Sequence, residues 1–359
     1  MKNKVEAGCT PAAPPNESVT LKMKNESTPS SMDNLPLEQP VASGPAGEIN
    51  SARALALLDE QLAAWETARA NYQALGQVRI KEFPGAGGGV TVQFNPARIR
   101  SSAARIDAAS LRERNCFLCP PQVPPQQRQL PFGERYWLMV NPFPIFPQHF
   151  TIPAREHVPQ RIAGRYGELL DMAACLERFV LFYNGPKCGA SAPDHMHFQA
   201  GNKGFLPVQQ AWRETATPLA VSGEAAQLYA FTAGARRAVV IETGDKAASE
   251  AWFDRLYGLL PRLPGDSEPM LNLLAWREGA QWITMLFPRA KHRPSCYEAP
   301  GEANLLYSPA SVDMGGVSVL PRERDFEKVT AAVLEKAFEE VCFPAADWNT
   351  LLNELTGGR

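Results

Sequence analysis

The stretch Gly185–Gly201, GPKCGASAPDHMHFQAG, decides the fold. Side chains alternate along an extended strand, so a strand over His195–Ala200 puts His195, His197 and Gln199 on one face. Met196, Phe198 and Ala200 then face a core. Two imidazoles and a carboxamide in one row contribute nothing to packing. The loop before them, Gly189-Ala-Ser191-Ala, offers backbone N–H groups and one hydroxyl to an anion. The plainer reading is a polar row on a solvated face; three aligned polar groups beside a small-residue loop favour a site.

Working outward, Tyr136–Val140 and His149–Pro153 read as strands, and Arg165–Tyr183 as a helix with Leu169, Met172, Ala173, Leu176, Phe179 and Val180 inside. Towards the N-terminus, Ser51 is a candidate N-cap. Leu55, Leu58, Leu62, Trp65 and Tyr72 follow it at helical spacing up to Gly76. A hairpin, Val78–Phe83 and Val90–Phe94, is joined by a glycine-rich link that lacks the Gly-Lys-Ser/Thr of a phosphate-binding loop. Beyond the central stretch, Ala238–Glu242 and Trp282–Phe287 read as strands, and Ala251–Leu260 and Glu323–Cys342 as helices. Asn272 and its following strand, which ends in Pro288-Arg289, echo Asn141 and the strand ending in Pro153-Ala-Arg155. The grammar predicts an α+β fold of antiparallel sheets with packed helices, in two degenerate halves over 48–210 and 211–359.

Composition bounds the function. The 359 residues allow two domains or one duplicated one. Thirty-six basic against 38 acidic residues, net −2, exclude a generally basic nucleic-acid coat, so no nucleic-acid partner is expected. No apolar run of about 18 residues predicts a membrane span, and the N-terminal residues lack the apolar segment of a secretory signal. Seven cysteines do not read as a disulfide framework, which points to a cytoplasmic address. Cys116-Phe-Leu-Cys119 is then a metal half-site or a packed pair, and Cys9, Cys175, Cys188, Cys296 and Cys342 are ordinary thiols. Seven of the 32 prolines lie in the first 50 residues without any Phe, Trp or Tyr, so about 1–47 is expected to be disordered. Four of the five histidines, His149, His157, His195 and His197, fall close together. His149, at the start of a strand, keeps a structural reading.

His195-x-His197-x-Gln199 resembles the motif of the histidine-triad (HIT-like) superfamily of nucleotidyl transferases and hydrolases. The His-Phe-Gln-Ala form is most similar to the GDP-hexose phosphorylases (GDP-L-galactose and GDP-D-glucose phosphorylases), as is Pro159-Gln-Arg-Ile162. Asn141, Pro144 and Pro147-Gln-His149 are similar to the strand pair of diadenosine-tetraphosphate phosphorylases. The likeness covers about residues 115–205 and, loosely, 270–295. It implies a nucleotidyltransferase in which His197 attacks phosphorus, Gln199 binds the phosphoryl oxygens, and Asn141, Asn184, Lys187 and Ser191 bind substrate. A neutral imidazole can take a nucleotide from a nucleoside-diphosphate sugar and pass it to phosphate or a sugar phosphate. The relatives also imply a homodimer.

Cys116-x-x-Cys119 resembles the zinc half-site of galactose-1-phosphate uridylyltransferases, which implies structural zinc on Cys116, Cys119, His157 and His195. The chain departs from that family at Met196 and Phe198, where it has prolines; without metal, His195 would orient His197 or the leaving phosphate. Pro288-Arg289-Ala-Lys291-His292-Arg293-Pro294 is either a solvated basic turn or a phosphate clamp formed by Arg289, Lys291, His292 and Arg293. The leading expectation is a phosphorylase of nucleoside-diphosphate sugars. The alternatives are hexose-phosphate uridylyl transfer, dinucleoside-polyphosphate phosphorolysis, and a nucleotide-binding protein without catalysis.

Overall fold

The computed structural model describes residues 49–99, 108–220 and 225–357; the segment 1–47, expected to be disordered, lies outside them. In chain order come α1 (Ser51–Ala64), α2 (Glu66–Leu75), β1 (Arg79–Phe83), β2 (Val90–Phe94), α3 (Ala108–Glu113), β3 (Leu130–Phe132), β4 (Tyr136–Val140) and β5 (His149–Pro153). Next are α4 (Tyr166–Cys175), β6 (Phe179–Asn184), β7 (His197–Asn202), α5 (Pro207–Thr215), β8 (Ala216–Pro218), β9 (Gln227–Ala233), β10 (Arg236–Thr243) and α6 (Lys246–Leu259). The chain continues through β11 (Leu271–Glu278), β12 (Gln281–Pro288), α7 (Ser311–Met314), β13 (Val317–Leu320), α8 (Glu323–Lys328), α9 (Ala331–Val341) and α10 (Ala345–Thr356). The fold is α+β.

One ten-stranded antiparallel sheet, in the order β3-β4-β5-β7-β6-β11-β12-β10-β9-β8, carries most of the structure. A small sheet, β1-β2-β13, lies apart from it in pairing, with β13 parallel to β2. The large sheet runs unbroken from the N-terminal into the C-terminal half through the β6–β11 pair, where Asn184 lies opposite Asn272. The described residues group by their contacts as one compact unit.

Several boundaries differ from the sequence expectation. The helix over 165–183 stops at Cys175, and Phe179-Val-Leu-Phe-Tyr-Asn184 is a strand buried along its whole length. A short apolar run buried on both faces has no alternation to distinguish it from a buried helix turn. The central strand begins at His197, so His195 sits in the preceding bend and does not share the strand face. The first helix breaks at Trp65, whose extended backbone separates α1 from α2, and its N-cap is Asn50, whose Oδ1 accepts from the Arg53 amide. The last expected helix breaks at Val329, and Thr330 caps α9 by accepting from the Val333 amide. Asp245 starts α6 five residues earlier than expected, its Oδ1 accepting from the Ala247 and Ala248 amides.

Strand alternation sorts the large sheet into two faces. Leu138, Val140, Phe150, Ile152, Phe198, Ala200, Leu181 and Leu273 pack with Leu169, Leu170 and Ala173 of α4 and Trp252, Phe253 and Leu256 of α6. On the other face, Phe182, Leu274, Met285 and Phe287 meet Val312 and Met314 of α7 and Leu334, Phe338 and Val341 of α9. That second face changes character across β4, β5 and β7, where Asn141, His149, Thr151, His197 and Gln199 replace apolar residues. Apolar burial at roughly 25 cal/mol/Å² therefore holds the sheet beneath a row of polar groups that contribute little to it.

Behind the sheet, Glu268 accepts from the Tyr183 hydroxyl and from the Ile162 amide at 2.9 Å. Burial pushes its carboxyl up to about 7 despite these donors. A carboxyl raised above its unfolded value contributes stability that is full below about pH 4.5 and is lost as pH rises through about 7. Thermal midpoints are expected to fall between pH 5 and 8, and Glu268→Gln, whose Oε1 can accept from the Ile162 amide while its Nε2 donates to the Tyr183 hydroxyl without a charge, is expected to flatten that fall. An identical pH slope in the variant would refute the assignment. Asp313, also pushed up to about 7 by burial, supplies a residual slope.

Candidate active site

His197, Gln199 and Asn184 are neighbours in the sheet. On β7, His197 and Gln199 are two residues apart; the β6–β7 register pairs Phe182 with Gln199, which carries Asn184 opposite His197. On the other side β5 pairs Thr151 with Gln199 and Pro153 with His197. Buried Gln160 ties the end of the β6–β7 pair: its Oε1 accepts from the His197 amide at 2.7 Å, and its Nε2 donates to the carbonyls of Asn184 and His197. His197, Gln199, Asn184, Asn141, Thr151 and Ser191 all line one cavity of about 850 Å³.

The hydrogen bonds fix which atoms face that cavity. His197 Nδ1 lies 2.8 Å from the His195 carbonyl, which can only accept, so Nδ1 carries the proton and Nε2 keeps a lone pair. Burial pushes His197 down to about 4, so the ring is neutral near pH 7. Asn184 Oδ1 accepts from the Asn272 amide group, the Ser311 amide and the Ser311 hydroxyl at 2.6–3.0 Å, which leaves its Nδ2 as the end facing the cavity. Asn141 is held at both ends, donating to Thr151 Oγ1 and accepting from the Phe143 amide.

The other candidate residues divide. Gly189, Ala190 and Ser191 line the cavity as the small-residue loop anticipates, with Gly189 at φ +94°, where a Cβ would collide with Ala310. Lys187 points elsewhere: it is exposed and pairs with Asp266 at 2.5 Å. Within the basic run, His292 and Arg293 line the cavity, and burial with the neighbouring cations pushes the His292 pKa down to about 4. Lys291 is exposed and pairs with Glu340. Arg289 is no solvated clamp: it is 2% exposed and spends its donors on Asn272 Oδ1 and on the carbonyls of Val341, Pro309, Lys291 and His292. Through Asn272 it supports Asn184 at second hand. Arg289→Met strands these acceptors in the core and is expected to cost about 3–5 kcal/mol, read as a lowered denaturation midpoint; an unchanged midpoint would contradict the role.

Sequence reasoning missed Arg98, Arg114 and Asp313, which also line the cavity. Arg98 stays cationic, pushed down only to about 10 by burial, and donates to the Phe143 carbonyl. With Arg114 and Arg293 it gives the cavity a positive wall suited to phosphates. No local pattern marks Arg98 and Arg114, because they reach the cavity from separate segments.

The four expected metal ligands come together, His195 among them two residues before His197. The side-chain donor atoms of Cys116, Cys119, His157 and His195 all lie within 4.8 Å of one another. His195 Nδ1 is 3.4 Å from Cys116 Sγ and 3.2 Å from Cys119 Sγ, and His157 Nδ1 is 3.3 Å from Cys119 Sγ. Tetrahedral bonds of about 2.0–2.3 Å place ligand atoms roughly 3.3–3.8 Å apart, close to these separations. Both imidazoles have outer partners on the far nitrogen: His195 Nε2 donates to the Ala154 carbonyl at 2.8 Å, and His157 Nε2 lies 3.9 Å from Asp194, itself paired with Arg114. That arrangement orients ring nitrogens towards a cation. The residues fit zinc in donor set, number and outer support.

The model of a domain of unknown function (DUF4922) matches residues 57–202. No curated protein matches the chain. Among solved structures, yeast Ap4A phosphorylase Apa2 is similar at 18% identity and a TM-score of 0.46, covering 78% of this chain and 94% of that one. Its complex with Ap4A aligns at 16% identity and a TM-score of 0.48, covering 78% and 97%. A DUF4931 family protein from Bacillus cereus aligns at 14% identity and a TM-score of 0.32, covering 45% and 85%.

Proposed function

We propose that this chain is a HIT-like nucleotidyltransferase that cleaves a nucleoside-diphosphate sugar by way of a nucleotidyl-histidine on His197. The observation that carries the reading is the His197 ring itself: neutral, held in one tautomer by the His195 carbonyl, with Nε2 at a cavity that also holds the Gln199 and Asn184 carboxamides. Nε2 attacks the α-phosphorus in line, the bond from that phosphorus to the bridging oxygen breaks, and the sugar phosphate leaves with the bond electrons. The ring is then cationic, and its Nδ1–H stays bonded to the His195 carbonyl. An oxygen of inorganic phosphate attacks the same phosphorus, the N–P bond breaks, and neutral His197 returns with a nucleoside diphosphate formed. Gln199 and Asn184 supply uncharged donors for the phosphoryl oxygens, and Arg98, Arg114 and Arg293 balance the remaining charge.

Zinc on Cys116, Cys119, His157 and His195 would be structural: four protein ligands close its coordination and leave no position for substrate. The residues it would fix are those that matter to the nucleophile, since His195 provides the carbonyl that holds His197. The test is a panel of UDP-, GDP- and ADP-hexoses and a dinucleoside polyphosphate, each with phosphate or a hexose phosphate. Release of sugar 1-phosphate dependent on inorganic phosphate is the expected result. A requirement for hexose phosphate would move the reading to uridylyl-type transfer, and nucleotide binding without turnover of any donor would overturn it.

A further inference from the structure

We propose that His149 is a positioning residue that sets the polarity of the Gln199 carboxamide, so that its Nε2 faces the phosphoryl group at His197. The inference rests on the transfer reading above and adds to it a residue that touches neither substrate nor nucleophile. A carboxamide is nearly symmetric in shape, so a glutamine left free presents oxygen to an anion as readily as nitrogen. An oxygen turned towards phosphoryl oxygens would repel them.

The polarity follows from a chain of donors. The Ile145 amide lies 3.1 Å from His149 Nδ1, and an amide N–H can only donate. His149 Nδ1 therefore accepts, and in the neutral ring the proton sits on Nε2. That nitrogen lies 3.1 Å from Gln199 Oε1, so Nε2–H donates and the glutamine must offer its oxygen. Gln199 Nε2 is left for the cavity that Gln199 and His197 both line.

The packing around His149 gives the ring no second orientation. It is fully buried, with Phe146 edge-on at 5.3 Å and Phe182 tilted at 5.9 Å between ring centroids. Opposite it on β7 is Gly201, where a Cβ would come within 2.5 Å of the Phe146 ring. The His149 carbonyl accepts from the Tyr72 hydroxyl and the Asn141 backbone amide, both at 2.9 Å, so the backbone is pinned as well. Burial and Arg98 push its pKa down to about 3, in keeping with a neutral ring.

The experiment compares wild type, His149→Phe, His149→Gln, Gln199→Ala and the His149→Phe/Gln199→Ala double variant. Single-turnover labelling of the protein by an α-phosphate-labelled donor is followed alongside nucleoside monophosphate affinity. Loss of one transition-state donor is worth about 10²-fold, so Gln199→Ala and His149→Phe are each expected to slow labelling by roughly that factor. The double variant is expected to be no slower than Gln199→Ala alone, because His149 acts only through Gln199. His149→Gln, which can place a donor near the lost Nε2–H, is expected to recover most of the rate. Multiplying effects in the double variant, or a wild-type rate in His149→Phe, would overturn the proposal. If no donor labels the wild-type protein, the transfer reading fails by itself. The polarity is then read from side-chain ¹⁵N resonances: an Nε2–H tautomer at His149 supports it, and an Nδ1–H tautomer overturns it.

Discussion

His197→Ala is expected to abolish nucleotide transfer, lowering turnover by about 10⁴-fold or more, as loss of a covalent nucleophile does elsewhere. The size follows from what the remaining groups can do. Gln199, Asn184 and the cavity arginines still bind phosphates, so affinity for a nucleoside monophosphate is expected to change little. Without Nε2, however, the atom proposed to attack phosphorus is gone. His197 is buried, but because its ring lines a cavity rather than the apolar core, the fold is expected to survive its truncation. The measurement is turnover and nucleotide binding on the same preparation. Lost turnover with retained binding is the expected pair; wild-type turnover would contradict the role.

The second large effect concerns the metal. Purified protein is expected to contain about one equivalent of zinc, and Cys116→Ser or Cys119→Ser is expected to lose it. Structural zinc contributes on the order of 10 kcal/mol in small domains, and even a few kcal/mol lost here would lower the thermal midpoint by roughly 5–10 °C. The site ties the loop of Cys116 and Cys119 to His157 and His195, and Phe117 and Leu118 of that loop line the cavity. Chelation is therefore expected to raise KM as well as to destabilise the protein. Less than a few tenths of an equivalent of zinc, with a midpoint indifferent to chelator, would contradict the assignment.

Much of the N-terminal half was legible in the sequence where the signal is local. Tyr136–Val140 and His149–Pro153 are strands over the expected residues. The alternation of His197, Phe198, Gln199 and Ala200 does separate a cavity face from a core face. Local signals failed where two structures share one pattern, as at Phe179–Asn184, a wholly buried strand that carries helix-compatible hydrophobics. They failed again where partners are distant. Arg289 reads as a surface cation until Asn272 and four carbonyls surround it, and His149 reads as structural until the β5–β7 register sets it beside Gln199. Charge in a sequence run says nothing of burial, so Lys187 and Lys291 turn to the carboxylates of Asp266 and Glu340, and Arg98 and Arg114 enter the cavity from segments with no motif.

The most direct measurement is to trap the intermediate. The protein is mixed with nucleoside-diphosphate sugars labelled at the α-phosphate, without phosphate, then denatured and mapped by peptide. A stoichiometric, acid-labile and base-stable nucleotidyl group on His197, discharged when phosphate is added to the native enzyme, is the expected result. A protein that turns over a donor yet never carries label, or carries it on another residue, would contradict covalent transfer through His197.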